Sequence, residues 1–416
     1  MERVKNMLLG MVNQNAAVRR LAKRGVRTFW RLRYMAVRAC SKTEENLLVF
    51  EVYQGRQYTC SPRAIYEEML KKEGKEGYRF IWVFRQPEDY RWLEKKPGTT
   101  VVKLGTGAYY KAFARAKYWV VNSRTRHCLV PGKDQCFLQT WHGTPLKRLG
   151  CDIEVEGNNL VSLKEMQEDY RKEGKRVTYF LSPSSFYSEK IASAFGLNEE
   201  EKKRKVIELG YPRNDALFEH REEKKEKARK ELGLPLGKKV ILYAPTFRDN
   251  QHRKNGCGFT LGFDLERLVK ELGEEYVMLF RTHYFVTEQI DLRKFQGVVF
   301  DVTSWDDINE LYLASDVLIT DYSSVFFDFA NLKRPILFFM YDMEEYQNHI
   351  RDFYLDLEEL PGPVIRTEDE LYETLKKLSL EEAYDERYQK FHETYNYLDG
   401  PHTSRQVADW MLNKRK

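Results

Sequence analysis

Val317-Leu318-Ile319-Thr320-Asp321-Tyr322-Ser323-Ser324-Val325-Phe326-Phe327-Asp328 is an apolar run that passes through Asp-Tyr-Ser-Ser into an amphipathic stretch. The first four residues read as a buried strand, and the Ser pair reads as the cap of a following helix. Strand, polar turn and helix make the repeating unit of a doubly wound α/β sheet. The unit recurs on both sides of this stretch. Residues 240–243, 276–280, 298–300 and 336–339 read as strands with helical segments between them. An earlier series runs through strands at 47–52, 79–83, 101–104, 118–121, 136–141 and 178–181. It includes a helix from Ser61 to about Lys72, with Ser61 as N-cap and Pro62 as first helical residue, and a helix over 109–116. Two such series in 416 residues predict an α/β fold of two Rossmann-like domains facing each other across a cleft. The boundaries read as 1–41 for a basic helical extension, 42–220 for the first domain and 221–416 for the second. The charged run 219–230 is a solvated helix or the connection between the domains.

The charge is uneven. The chain carries 69 Lys and Arg against 63 Asp and Glu, yet residues 1–40 alone hold ten basic groups and one acid. The positive excess therefore sits in the N-terminal stretch, where Arg20, Arg24, Arg27, Trp30 and Arg31 combine cations with an aromatic ring. That composition suits a helix lying on an anionic membrane surface, with Phe29, Trp30, Leu32, Tyr34 and Met35 in the interface. A basic first helix packed on its own domain is the plainer alternative. The rest of the chain is mildly acidic and has no nucleic-acid-binding module, so a nucleic-acid partner is disfavoured. Cys40, Cys60, Cys128, Cys136, Cys151 and Cys257 form no CxxC pair and read as free thiols. No apolar run is long enough for a membrane span, and the N-terminal apolar stretch is too short for a signal sequence. The expected place is the cytoplasmic face of the membrane, as a peripheral protein.

In open parallel sheets ligands bind where strands end at their carboxyl edge. Four such ends carry chemistry. Trp141-His142-Gly143-Thr144-Pro145 follows the 136–141 strand; His142, with an ordinary pKa near about 6.5, suits a general base at neutral pH. Gly143 and Thr144 flank it. Asn122, past the 118–121 strand, would line the same crevice or simply close a turn. Tyr243-Ala244-Pro245-Thr246-Phe247-Arg248-Asp249 places Thr246 and Arg248 where they would donate to a phosphate. Arg281-Thr282-His283-Tyr284 places Arg281 and His283 together at a strand end. Ser323 and Ser324 offer hydroxyls and free backbone N–H groups to an anion, with Asp321 beside them. Walker A and Gly-x-Gly-x-x-Gly patterns are missing, which disfavours a P-loop NTPase and a nicotinamide enzyme. No metal-ligand spacing and no Asp-x-Asp pair is visible, so no metal and no cofactor is expected.

Trp141-His142-Gly143-Thr144-Pro145-Leu146-Lys147, Gly210-Tyr211-Pro212-Arg213-Asn214-Asp215, Tyr243-Ala244-Pro245-Thr246-Phe247-Arg248, Arg281-Thr282-His283, and Ser315-Asp316 through Asp321-Tyr322-Ser323-Ser324 occur in one order. Together with the late Asp399-Gly400-Pro401-His402-Thr403-Ser404-Arg405, this set resembles the CDP-glycerol glycerophosphotransferase family of teichoic acid primases and polymerases. The resemblance covers residues 45–410. It implies a GT-B-like fold, a CDP-alcohol donor and an undecaprenyl-diphosphate-linked acceptor. It also implies glycerol phosphate transfer from CDP-glycerol to a teichoic acid or capsule acceptor, with release of CMP. His142 would be the acceptor-side base, with Gly143, Thr144 and Asn122 near it. Thr246, Arg248, Arg281, His283, Ser323 and Ser324 would hold the donor phosphates, with His283 counted beside His142 as catalytic, and Asp321 would orient the Ser-Ser turn or contact the donor. Some family members carry Pro where this chain has Tyr284. A CDP-ribitol donor, or a GT-B glycosyltransferase acting at a sugar carbon, are the alternatives.

Overall fold

The computed structural model describes residues 16–72, 77–154, 162–246, 252–253, 256–257, 261–282, 291–343 and 353–413. Fifteen strands lie among them. β1 (Glu44–Glu51), β2 (Arg79–Phe84), β3 (Thr99–Lys103), β4 (Ala116–Val121), β5 (Cys136–Gln139), β6 (Tyr179–Ser182) and β7 (Val206–Glu208) come first. β8 (Lys239–Tyr243), the two-residue pair β9 (His252–Arg253) and β10 (Gly256–Cys257), β11 (Tyr276–Phe280), β12 (Val299–Asp301), β13 (Val317–Thr320), β14 (Ile336–Phe339) and β15 (Val364–Ile365) follow.

The chain divides into two compact units. The first comprises residues 1–57, 73–139 and 176–178; the second comprises 58–72, 140–175 and 179–416. The first unit carries the parallel run β3-β2-β1-β4-β5. Its strands are buried along most of their length, with Leu48, Val49, Phe50, Trp82, Val83, Trp119 and Val120 all at or below 1% exposure. A strand covered on both faces needs apolar side chains at consecutive positions, which is why these segments read as continuous apolar runs. The helix Ala16–Ala39 belongs to this unit. It docks through Tyr34, which is fully buried, and through Trp30, whose ring stacks on Tyr110 at 5.7 Å. Arg38 locks its end by donating to Asp134 at 2.7 Å and to the Ala114 carbonyl at 3.2 Å. Trp30 and Tyr34 therefore face the protein rather than a membrane. Phe29, Leu32 and Met35 remain exposed, joined by Val26.

The second unit holds β6 and β7, paired in parallel, and a six-stranded parallel sheet in the order β12-β11-β8-β13-β14-β15. Counting strands from the start of each sheet, both orders begin 3-2-1-4-5, as in the Rossmann arrangement. Alternation places Val240, Leu242, Val277, Leu279, Leu318 and Phe338 in one core and Ile241, Tyr243, Met278, Phe280, Ile319 and Leu337 in the other. Each face of the sheet is thus covered. The charged run is the helix Arg221–Glu231, packed inside this unit: Ala228 is buried, and Lys225 and Arg229 pair with Asp316 at 2.9 and 2.6 Å.

Three local readings are corrected. The helix expected to have Ser61 as N-cap begins two residues early, as Cys60–Lys71, with Thr59 as N-cap and no side-chain cap bond; Pro62 is its third residue. The strand at 136–141 stops at Gln139, because Trp141 takes a φ of 48°, which cannot continue a strand. The short strands β7 and β15 were not legible, since two or three residues carry too little pattern. The five cysteines whose side chains are described form no disulfide with one another. Among the described residues no helix is long and apolar enough to cross a membrane.

Candidate active site

β8, β11 and β13 are neighbours, so their carboxyl ends emerge side by side. Register fixes this: Tyr243 lies opposite Phe280 and Ile319. Backbone bonds carry the alignment one residue further, from the Arg281 N–H to the Tyr243 carbonyl and from the Ala244 N–H to the Ile319 carbonyl. Strand order reverses between β8 and β13, the place where ligands of open α/β sheets bind. Asp321, 2% exposed, closes that point by accepting the Thr246 N–H at 2.7 Å. Its role in the geometry is to fix the loop after β8. Arg281 donates through Nη1 to the carbonyls of Val302 and Trp305 at 3.1 and 2.7 Å, which anchors the loop after β12. Thr246, Arg281, Asp321, Ser323 and Ser324 are therefore together at one edge. Arg248 and His283 lie outside the described residues.

The His142 segment meets this edge. Its left-handed Trp141 turns the chain out of the sheet, and the Trp141 ring stacks on the His142 ring at 4.6 Å. The imidazole is exposed. Gly143 next to it is buried so closely that a Cβ there would stand 2.9 Å from the Ser324 Oγ. The following residues tie into the same unit. Leu146 sits in the core beneath the six-stranded sheet, Lys147 donates to the Thr246 Oγ1 at 3.4 Å, and the Leu146 carbonyl accepts the Tyr354 N–H at 2.8 Å. Ser324 is the N-cap position of the helix Val325–Phe329, but its side chain makes no cap bond. The plain capping reading of this serine is not realised.

Asn122 is elsewhere, in the first unit. It is fully buried and its Oδ1 accepts the N–H of Tyr53, a residue with φ 46°. It bridges the ends of β1 and β4, the switch point of the first sheet, as Asp321 bridges β8 and β13. Of the basic residues in the first helix, Arg24 and Arg31 are exposed and Arg27 is half-buried, while only the backbone of Arg20 is described.

The sequence reading missed the buried polar cluster behind the Ser-Ser turn. Arg213 Nη2 reaches both carboxylate oxygens of Asp328, at 2.7 and 3.0 Å, and its guanidinium lies 4.0 Å from the centre of the Tyr211 ring. Asn214 Nδ2 donates to Asp328 and Asp399, and Asp399 also accepts from the Tyr211 N–H and Asn331 Nδ2. Burial pushes the Asp399 carboxyl up to about 6, against the opposing pull of those donors. Asp215 accepts from the N–H groups of Thr403 and Ser404. The signal was present in the Gly210–Asp215 and Asp399–Arg405 motifs, but nothing in their spacing says that they meet. Lys147 was likewise quoted without a role. Among the described residues no group of three His, Cys, Asp or Glu side chains is arranged to hold a metal ion.

Comparison with known proteins follows the same lines. The family model for CDP-Glycerol:Poly(glycerophosphate) glycerophosphotransferase matches residues 33–413. The teichoic acid poly(glycerol phosphate) polymerase of Bacillus subtilis is 41% identical over 366 residues, covering 87% of this chain and 48% of the relative. The chain thus spans about half the length of that polymerase. The polymerase of the same name from Bacillus spizizenii is 38% identical, covering 88% of this chain and 92% of the relative. A solved structure of the wall teichoic acid polymerase TagF, a histidine-to-asparagine variant soaked with CDPG, superposes with a TM-score of 0.84 at 36% identity, over 97% of this chain and 98% of that one. The two-domain, GT-B-like α/β fold implied by the motif set is the fold of this chain. The chain belongs to the CDP-glycerol:poly(glycerophosphate) glycerophosphotransferase family.

Proposed function

We propose that this chain transfers glycerol phosphate from CDP-glycerol to a hydroxyl of a lipid-linked teichoic acid or capsule acceptor, releasing CMP. The observation that carries the reading is the approach of Gly143 to Ser324, which brings the His142 loop against the turn at the sheet's switch point. The acceptor oxygen attacks the β-phosphorus as the bond to the CMP oxygen breaks, and His142 takes the acceptor proton. Arg281, Thr246 and the Ser323 and Ser324 hydroxyls stabilise the phosphoryl oxygens and the departing CMP phosphate. Arg248 and His283 join them on the strength of the motif set alone. Asp321 holds the Thr246 loop at the edge of the donor site.

The chain also binds the cytoplasmic face of the membrane through its first helix. Val26, Phe29, Leu32 and Met35 are exposed apolar groups, and Arg24, Arg31 and Arg33 are exposed cations among them. Apolar burial in the interface and attraction to anionic head groups, about 1 kcal/mol per basic residue, act together.

The test is incubation with labelled CDP-glycerol or CDP-ribitol and a lipid-linked acceptor, measuring CMP release and product length. Glycerol phosphate incorporation with CMP release is the expected result. Incorporation from CDP-ribitol alone reassigns the donor, and transfer without CMP release rejects phosphoryl chemistry. His142→Ala is expected to bind donor and lose turnover; substantial residual turnover with weakened donor binding makes the imidazole a binding group instead.

A further inference from the structure

Arg213 and Asp328 form an ion pair that is almost wholly buried. The two side chains are 5% and 10% exposed. A buried ion pair is a poor stabiliser, since apolar groups of similar volume often do as well or better. What the pair does is join two segments. Asp328 stands four residues, about one turn, after Ser324. Arg213 holds its guanidinium 4.0 Å from the centre of the Tyr211 ring, and its Nη1 donates to the Cys60 Sγ at 3.8 Å. The Cys60 thiol in turn donates to the carbonyl of Trp141, the residue before His142, at 4.0 Å. The chain of contacts therefore runs from the His142 loop through Cys60 and Arg213 to Asp328 and so to Ser324. The same short helix is held from behind, where Asn396 Nδ2 donates to the Phe327 carbonyl at 2.7 Å.

We infer that Arg213 and Asp328 are positioning residues, which set the distance between the His142 loop and the Ser323-Ser324 turn for phosphoryl transfer. The inference rests on the transfer reaction proposed above. A guanidinium fixes geometry in a way that a point charge does not, because Nη2 holds Asp328 while Nη1 holds the Cys60 Sγ: a lysine at 213 retains the charge but cannot span both contacts, and it loses the guanidinium over the Tyr211 ring. The reacting groups sit on loops, and a displacement near 1 Å from such a change costs on the order of a hundredfold in rate.

Two variants carry the test. The double variant Arg213→Met with Asp328→Leu replaces the pair by packed apolar groups, and Arg213→Lys retains the charge. Each is assayed for kcat and for the KM of CDP-glycerol, normalised to the folded fraction from a thermal melt. Amide hydrogen exchange of the peptide 320–330 is followed in parallel. The expected result is a kcat at least tenfold lower per folded molecule in both, a KM within threefold of the parent, and faster exchange confined to that peptide. A folded variant of either kind with kcat within threefold of the parent overturns the inference. So does a loss of rate that merely tracks the loss of folded protein. An unsubstituted chain that turns over no CDP-alcohol gives a different signature, because it rejects the transfer reading itself.

Discussion

Gly143→Ala isolates the contact on which the active-site reading depends. Gly143 has an ordinary backbone conformation, so alanine brings no left-handed strain and its only consequence is steric. The new methyl would stand 2.9 Å from the Ser324 Oγ and 3.6 Å from its Cβ. Carbon contacts settle near about 3.5 Å or beyond, so one group must give way by about half an ångström. The Ser324 hydroxyl is half-buried and unused as a helix cap, so rotation about χ1 is the cheapest escape. Folding should suffer little, at the low end of the roughly 1–3 kcal/mol typical of overpacking. Catalysis should suffer more, because the rotation removes a donor from the proposed phosphate site. Loss of one aimed donor costs on the order of a hundred- to a thousandfold in turnover where the donor is fully engaged. The assay is CMP release at saturating CDP-glycerol beside a thermal melt, with Ser324→Gly and the double variant completing a cycle. Alanine at 143 is expected to lower kcat/KM at least tenfold, and Ser324→Gly to remove most of that additional loss. Strict additivity, or an alanine variant with parental kinetics, refutes the idea that the His142 loop bears on this turn.

Three further outcomes follow from the geometry. Asp321→Ala leaves the Thr246 N–H without its acceptor, which should cost about 1–3 kcal/mol in a denaturant melt and raise the KM for CDP-glycerol. Asp399 has a folded pKa near 6 against an ordinary 3.8, so the folded state holds its proton more tightly. Relative to Asp399→Asn, the parent should therefore gain stability as pH falls from 7 to 4, by about 2 kcal/mol, and lose it again as pH rises through 6; a pH-independent difference between the two melts rejects the shift. Phe29→Ser with Leu32→Ser should abolish co-sedimentation with anionic vesicles while leaving transfer to a soluble acceptor analogue intact, whereas Trp30→Ser, at the Tyr110 stack, should lower the melting temperature; equal vesicle binding by parent and the Phe29, Leu32 variant rejects the membrane face.

The amino-acid sequence alone determined the alternation of strands and helices, because a strand buried on both faces must be apolar along its length. Residues 276–280, 317–320 and 336–339 are strands with the very bounds that the apolar runs mark. It also determined that Thr246, Arg281, Asp321 and the two serines stand at strand ends, since each directly follows such a run. Only the tertiary structure decided which of those ends are neighbours. Strand order depends on packing between helices and sheet, which local pattern does not encode, and the order puts β8 between β11 and β13. The same holds for Asn122, whose place at the end of β4 was legible while its partner Tyr53, 69 residues earlier, was not. Trp30 shows the converse: a helix rich in arginine and aromatic residues reads as amphipathic, but which aromatic face meets the protein is chosen by Tyr110. Least legible of all was the junction of Arg213, Asp328 and Asp399, residues up to 186 positions apart. A buried charge declares itself only when its partners come into contact, and contact is a property of the folded chain.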